Sequence, residues 1–526
     1  LIDGLEVRLE EGCSIEDVKV GTLVTVQGAT RRFFGQVTGV NLSASDSAVA
    51  QSPPAAPDAL IARVVSGTVA YGTVRVEPRL SIGVGDGTGG PQPAKTVPSH
   101  FSAVVPASAA DVELIFGRES QRRFWIGSPL DMETKLCLDI GELVKRSNGI
   151  FGKSGTGKTF LTRLLLAGVL QSGEATNLVF DMHSEYGWQG FSEGGSGKVR
   201  GLKQLFPSKV AVFSLDEESS RRRGLAPDYV VRVGYEEIEP EDVAILRGAL
   251  DLSPQAAEAA HSLHRHYGRR WLAKFMEVSG SDAFGELASG LNVNQGALSA
   301  LHRRLGRLER FGLMDSSGAH DSVNHILRYL DRGVHVVLEF GRYGRDLAAY
   351  ILVANLLTRR IYERYAASKE RSLAGQGAEP EPLLITIEEA HKFLTPEVAD
   401  QTIFGTIARE MRKYSVTLLV VDQRPSGIDE EVMSQLGTKL CCLLDNDRDV
   451  DAVLTGVAGG RKLRQVLASL ESRQQALVFG HAVPMPVEIR TREYGSPESY
   501  RQLGYVDDAE RKARVERDAA DLFGSA

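Results

Sequence analysis

Gly152-Lys153-Ser154-Gly155-Thr156-Gly157-Lys158-Thr159 sits between a short apolar run, Asn148-Gly149-Ile150-Phe151, and an apolar-faced stretch from Phe160 to Leu170. The octet fits G-x-x-x-x-G-K-[ST], and its flanks predict a strand before it and a helix after it. Glycines let the backbone turn its N–H groups inward, and the helix N-terminus adds partial positive charge. Such a loop holds a polyphosphate by backbone dipoles. All eight residues are therefore expected at a nucleotide. Lys158 would reach the β- and γ-phosphates of ATP, and the Thr159 hydroxyl would ligate Mg2+.

Working outward, strand-like runs recur at Asn177–Phe180, Val334–Phe340, Leu383–Ile387, Thr417–Val421, Leu440–Leu444 and Ala476–Phe479, with a long helix from about Asp346 to Ala366. Strands alternating with helices predict an α/β fold with a parallel sheet covered on both faces. Residues 201–330 differ, being rich in Ala, Leu, Arg and Glu with helical periodicity, and read as a helical insertion. Residues 1–130 carry short Val/Thr/Phe-rich runs, Val18–Val26, Phe33–Val40, Leu60–Val65, Thr73–Leu80 and Ser102–Val105. These predict a small N-terminal β-barrel or sandwich. Gly83–Pro98 reads as a long loop, and the charged tail 496–526 as an extension with a helix over Asp507–Leu522. The core is then split into 131–200 and 331–495.

A chain of 526 residues is long enough for several cores. With 42% hydrophobic and 25% charged residues it is neither disordered nor fibrous. Its net charge of −7 excludes coating of nucleic acid by bulk positive charge, so any such contact must be local. Four cysteines form no disulfide framework, and Cys441-Cys442 lie in an apolar run that reads as a buried strand. A reducing, cytoplasmic setting is expected. No apolar stretch approaches 18 residues, so no membrane span is expected. His261, His264 and His266 lack further spaced ligands and read as surface residues.

Four polar constellations accompany the phosphate loop. Leu383–Ile387 ends in Glu388-Glu389-Ala390-His391. At such a strand tip one acid holds the Mg2+ shell and its neighbour polarises the attacking water; Glu388 takes the first role and Glu389 the second. Asp181 and Glu185, in Asp181-Met182-His183-Ser184-Glu185-Tyr186, end the strand after the phosphate loop and either face the nucleotide or cap a turn. Gln423, at the tip of Thr417–Val421, can sense the γ-phosphate. Arg409 and Arg412 share one helix face, which is either solvated or supplies an arginine finger across a subunit interface.

In this order the motifs resemble the HerA-like branch of the HerA/FtsK ATPases. GKSGTGKT (152–159), DMHSEY (181–186), IEEAH (387–391) and AREMRKYSVTLLVVDQRPSGIDEEVMSQL (408–436) carry the resemblance. It implies a RecA-like core and a homohexamer that translocates double-stranded DNA through a central channel. By position it implies Lys158 and Thr159 at ATP and Mg2+, Asp181 and Glu185 in the acidic element, Glu389 as catalytic glutamate, Arg412 as finger and Gln423 as sensor. The sequence departs from the family at Glu388, where Asp is usual, and at Met411, where Gly is common. The resemblance also implies a separate effector, a nuclease or a sirtuin-like NADase, docked on the N-terminal barrel, in DNA end processing or antiviral defence. Channel contacts could come from Arg221-Arg222-Arg223 or from the Arg-rich helix 301–310. An ATP-binding scaffold that regulates an effector without translocation is the alternative. A DEAH-box helicase is excluded because QRPS follows the next strand and no Q-x-x-G-R-x-G-R segment is present.

Overall fold

The computed structural model describes residues 4–10, 13–44, 70–84, 90–191, 198–309, 314–315, 321–397, 399, 402–457 and 460–506. Among these, the residues up to Leu143 group with Gly437–Arg492 in one compact unit, and Val144–Leu436 group with the residues from Glu493 onward in a second.

Alternating apolar and polar residues give the first unit an antiparallel sheet. Its strands are β1 (Leu5–Arg8), β2 (Leu23–Gln27), β3 (Arg31–Ala44), β4 (Ala70–Gly83), β5 (Gln92–Pro93) and β6 (Ala103–Pro106). Their order is β1-β4-β3-β2-β6, with β5 on β4. Val24, Val26, Phe33, Val37, Val74 and Val76 form its core. Among the described residues β1 and β6 do not pair, so no closure into a barrel is seen. The expected run Leu60–Val65 and the tail helix 507–522 lie outside the described residues. Two further strands follow, β7 (Arg123–Pro129) and β8 (Leu136–Asp139).

Among the described residues, the main sheet of the second unit has seven parallel strands: β9 (Asn148–Phe151), β10 (Thr176–Asp181), β11 (Val210–Ser214), β12 (Tyr229–Val230), β13 (His335–Glu339), β14 (Leu383–Glu388) and β15 (Val416–Asp422). They run in the order β12-β11-β13-β10-β14-β15-β9. The apolar runs of β9, β10, β11, β13, β14 and β15 are buried throughout, as strands covered on both faces must be. Parallel pairing places the C-terminal residues Phe151, Asp181, Glu339, Glu388 and Asp422 along one edge, where ligands of such sheets bind. The long helix spans Leu347–Leu373.

Two stretches differ from the reading by pattern. Val210–Ser214, inside the span read as a helical insertion, is a strand of the core sheet between the short helices Leu202–Leu205 and Glu217–Arg222; the longer helices of the span lie between Pro240 and Leu330. Leu440–Leu444 and Ala476–Phe479, read as the end of the parallel series, fall instead at the antiparallel strands β16 (Thr438–Cys441) and β17 (Gln475–Gly480), which with β18 (Val487–Thr491) join β7 and β8 in the order β16-β17-β18-β7-β8. A short apolar run has the same composition in either kind of sheet, so strand direction is not readable from it. Cys441 and Cys442 are buried there, as expected.

The helices after Pro240 are tied to the long helix by a buried ion pair. Arg359 bonds Asp242 at 2.8 Å and also pairs with Glu239. Burial outweighs the nearby guanidinium charges and lifts the Asp242 carboxyl to about 6. Arg359→Met should lower stability at pH 7 by about 3 kcal/mol, because one buried partner is left alone. Adding Asp242→Leu should recover most of the loss. Urea denaturation of the two variants checks this.

Candidate active site

The phosphate loop leaves β9 and enters the helix Lys158–Ser172. Gly155 and Gly157 have φ of 80° and 92°, left-handed values that glycine adopts without strain. A Cβ at either position would meet nothing within 4 Å, so the cradle is open. Thr156 anchors the turn by donating its hydroxyl to the Lys153 carbonyl at 2.7 Å. The helix behind it buries Leu161 and Leu164–Leu170, which fixes the loop to the core.

Thr159 donates to the Glu185 carboxylate at 3.2 Å. Glu185 is held by its own loop. Asp181, fully buried, accepts the backbone N–H groups of Glu185 (2.8 Å), Tyr186 (2.8 Å) and Gly187 (3.3 Å). Burial still pushes the Asp181 carboxyl above its usual range, against those three donors. Both its oxygens are taken by backbone, so Asp181 shapes the loop that presents Glu185.

Glu388, at the tip of the adjacent strand β14, is 7% exposed. Tyr186 donates to its Oε1 at 2.8 Å, and Tyr350 donates to its backbone carbonyl at 3.0 Å. Its Oε2 is buried with no hydrogen-bond partner among the described residues. Desolvation first, then the carboxylates of Asp181 and Glu185, push its carboxyl up to about 8, while Tyr186 and the Lys158 ammonium draw it down. An orphaned carboxylate oxygen in an acidic, buried setting, within electrostatic reach of Lys158 and Glu185, is what a divalent cation satisfies. Thr159, Glu185 and Glu388 thus fit Mg2+.

Glu389 adopts φ 49°, ψ 46°, a left-handed conformation uncommon outside glycine. Gln423 donates to its Oε1 at 3.2 Å. Its Oε2 lies 3.7 Å from His391 Nδ1, which also meets both oxygens of Asp422 at 3.0 and 3.1 Å. Asp422 further accepts the backbone N–H groups of His391 and Arg424, each at 2.7 Å. The Asp422 bond raises the His391 pKa. Burial works to raise Asp422, but His391 and these amides hold it below the usual range.

The structure therefore brings together Lys158, Thr159, Asp181, Glu185, Glu388, Glu389 and Gln423 at one sheet edge. Arg412 lies on the turn Met411–Tyr414, and its side chain is outside those described. Arg409 pairs with Asp429 and Glu431. Arg221, Arg222 and Arg223 are engaged by Glu217, Glu218 and Glu339. Among the described residues no group of three or more His, Cys, Asp or Glu side chains is placed to hold a metal ion. Sequence reasoning missed Tyr350, Arg163 and the buried Glu339, whose carboxyl burial and Asp181 lift to about 7. Tyr186 and Asp422 stood inside quoted motifs, unassigned. Their positions beside charged strand tips were the only available signal.

A glycine-rich loop between strand and helix, facing paired carboxylates and a polar amide on neighbouring strand tips, defines a P-loop NTPase. Residues 124–361 match the family model of the central domain of helicase HerA. The DNA double-strand break repair helicase HerA of Pyrococcus furiosus is 23% identical over 412 residues, 74% of this chain and 72% of that protein. The protein of the same name from Saccharolobus solfataricus is 23% identical over 395 residues, again 74% and 72% of the two chains. Among solved structures, VirB4 of Thermoanaerobacter pseudethanolicus aligns with 72% of this chain and 99% of its own, at 14% identity and a TM-score of 0.48. These likenesses support a HerA-like P-loop ATPase.

The raised Glu388 carboxyl makes a pH prediction. Its bound proton gives the empty protein stability that is whole below the ordinary value of 4.5 and lost as pH climbs through about 8. Glu388→Gln removes that dependence. Its melting temperature should exceed the parent's by about 5 °C at pH 8 and match it at pH 5, without Mg2+ or nucleotide. Thermal melts across that range check the sign.

Proposed function

We propose that this chain is a RecA-like, Mg2+-dependent motor that assembles as a homohexamer and drives double-stranded DNA through a central channel. One observation carries the reading: the phosphate loop, Thr159–Glu185, Glu388, Glu389 and Gln423 meet at the edge of one parallel sheet. The name of the Pyrococcus furiosus relative, a DNA repair helicase, supports DNA as the track. No helix among the described residues is long and apolar enough to cross a membrane.

Each residue has a task. Backbone N–H groups of residues 152–159 and the Lys158 ammonium bind and orient the phosphates. Thr159, Glu185 and Glu388 hold Mg2+, which supplies neutralising charge at the phosphates when bound. Glu389 takes a proton from the attacking water, and Asp422 with His391 braces it. Gln423, bonded to Glu389 in the structure, orients water or senses the γ-phosphate. Arg412 reaches the neighbouring subunit's nucleotide.

For the DNA contact, Arg303 and Arg307 are exposed one helical turn apart, whereas Arg304 is tied to Asp251. The Arg221–Arg223 run is engaged by carboxylates, so the helix Gln295–Glu309 is the better candidate. The N-terminal region, residues 1–130 of the division proposed from sequence, would dock an effector, a nuclease or NADase, in end processing or antiviral defence. The family resemblance supports that assignment.

ATP hydrolysis by the full chain, measured with Mg2+ and with or without duplex DNA, tests the function. DNA-stimulated turnover is expected, and no hydrolysis in either condition overturns the reading. Glu389→Gln should lower kcat by about 10³-fold while nucleotide affinity stays within about threefold, the signature of a lost general base. Mixing Arg412→Ala with Lys158→Ala subunits should restore part of the activity each lacks alone. No rescue at any ratio removes Arg412 as a finger acting between subunits.

A further inference from the structure

Behind Glu185 lies a cluster that the chemistry above does not use. Arg163 follows Thr159 by four residues, so the two side chains leave one face of the helix Lys158–Ser172 a turn apart. Arg163 is 2% exposed. Its Nε donates to the Glu185 backbone carbonyl at 2.9 Å, and Nη2 donates to the same oxygen. The guanidinium carbon lies 5.5 Å from the Phe160 ring centre and 5.8 Å from that of Tyr494. Arg163, Thr159 and Glu185 line one cleft of about 530 Å³.

Tyr494 belongs to the segment that returns along this helix near the end of the described chain. Its hydroxyl donates to the Arg200 carbonyl at 2.8 Å, and the Tyr500 hydroxyl accepts the Arg200 N–H at 2.9 Å. Gln171, at the far end of the same helix, donates to the Leu503 carbonyl at 2.9 Å. One buried cation therefore touches both this segment and the loop that carries Glu185. Burying a guanidinium opposes folding unless its donors are used, and packing alone would be met by an apolar side chain. Here two of its donors converge on the residue whose carboxylate meets Thr159.

We propose that Arg163 is a positioning residue that fixes Glu185 against Thr159 and couples the segment Tyr494–Leu503 to the Mg2+ side of the nucleotide site. The proposal rests on reading Thr159 and Glu185 as part of the Mg2+ shell. Support around metal ligands is worth about 10–100-fold in affinity. Cation–π contact with Tyr494 contributes less.

Affinity of the full chain for fluorescent ADP, measured with and without Mg2+, tests it. Amide hydrogen exchange over Ser184–Gly187 in the empty protein gives a readout independent of metal. Arg163→Gln should cut the Mg2+-dependent gain in ADP affinity about tenfold, leave Mg2+-free affinity within about twofold, and speed exchange in that loop. Tyr494→Leu should do the same to a smaller degree, about threefold, and Arg163→Lys, which keeps a donor, should recover most of the gain. In a Glu185→Gln background, Arg163→Gln should add no further loss in the Mg2+ effect. A lower melting temperature with an unchanged Mg2+ effect in Arg163→Gln, while Glu185→Gln is impaired, overturns the coupling alone. A parental Mg2+ effect in Glu185→Gln overturns the shell reading and the coupling with it.

Discussion

Two carboxylates out of water at neighbouring strand tips, Asp181 and Glu388, set the terms for everything around the nucleotide site. A buried carboxylate is stable only if it is protonated, hydrogen-bonded or matched by a cation. The two solve the problem differently. Asp181 distributes its charge over three backbone amides and thereby folds the turn that holds Glu185 out. Glu388 has one hydroxyl donor and one oxygen with no partner among the described residues. One buried Glu388 oxygen thus stays unbonded among the described residues, within electrostatic reach of Lys158 in the phosphate loop.

That constraint explains the supporting residues. Tyr186 and Tyr350 anchor the side chain and backbone of Glu388 from two different elements. Glu389, the next residue, is turned into left-handed backbone, a conformation disfavoured by about 1 kcal/mol for an L-residue. The local network of Gln423, His391 and Asp422 holds it there. Consecutive residues of a strand point to opposite faces. Breaking the strand at Glu389 gives two adjacent carboxylates different surroundings, Glu388 against Tyr186 and Glu389 against Gln423.

How much of this was legible in the sequence depended on sequence distance. The phosphate loop reads directly because its strand, glycines and helix are contiguous. Glu388 and Glu389 read as a strand tip because an apolar run precedes them. Tyr186 meets Glu388 across 202 residues, and Arg163 meets Glu185 through a backbone oxygen that any residue would supply. No local pattern marks such pairs. The N-terminal strands were legible as strands, but closure depends on how edges meet, which alternation does not encode. Strands β16–β18 had the same apolar signature as the parallel core and proved antiparallel, grouped with the N-terminal residues.

On the proposed reading, Mg2+ would displace the proton that burial favours on Glu388, whose carboxyl is lifted to about 8. Calorimetric titration of the full chain with a non-hydrolysable ATP analogue and Mg2+ at pH 7, repeated in buffers of different ionisation enthalpy, counts the protons released. About one proton per site is expected, since metal binding to a protonated ligand expels it, and the release should vanish in Glu388→Gln. Binding with no proton release in the parent chain would contradict the account.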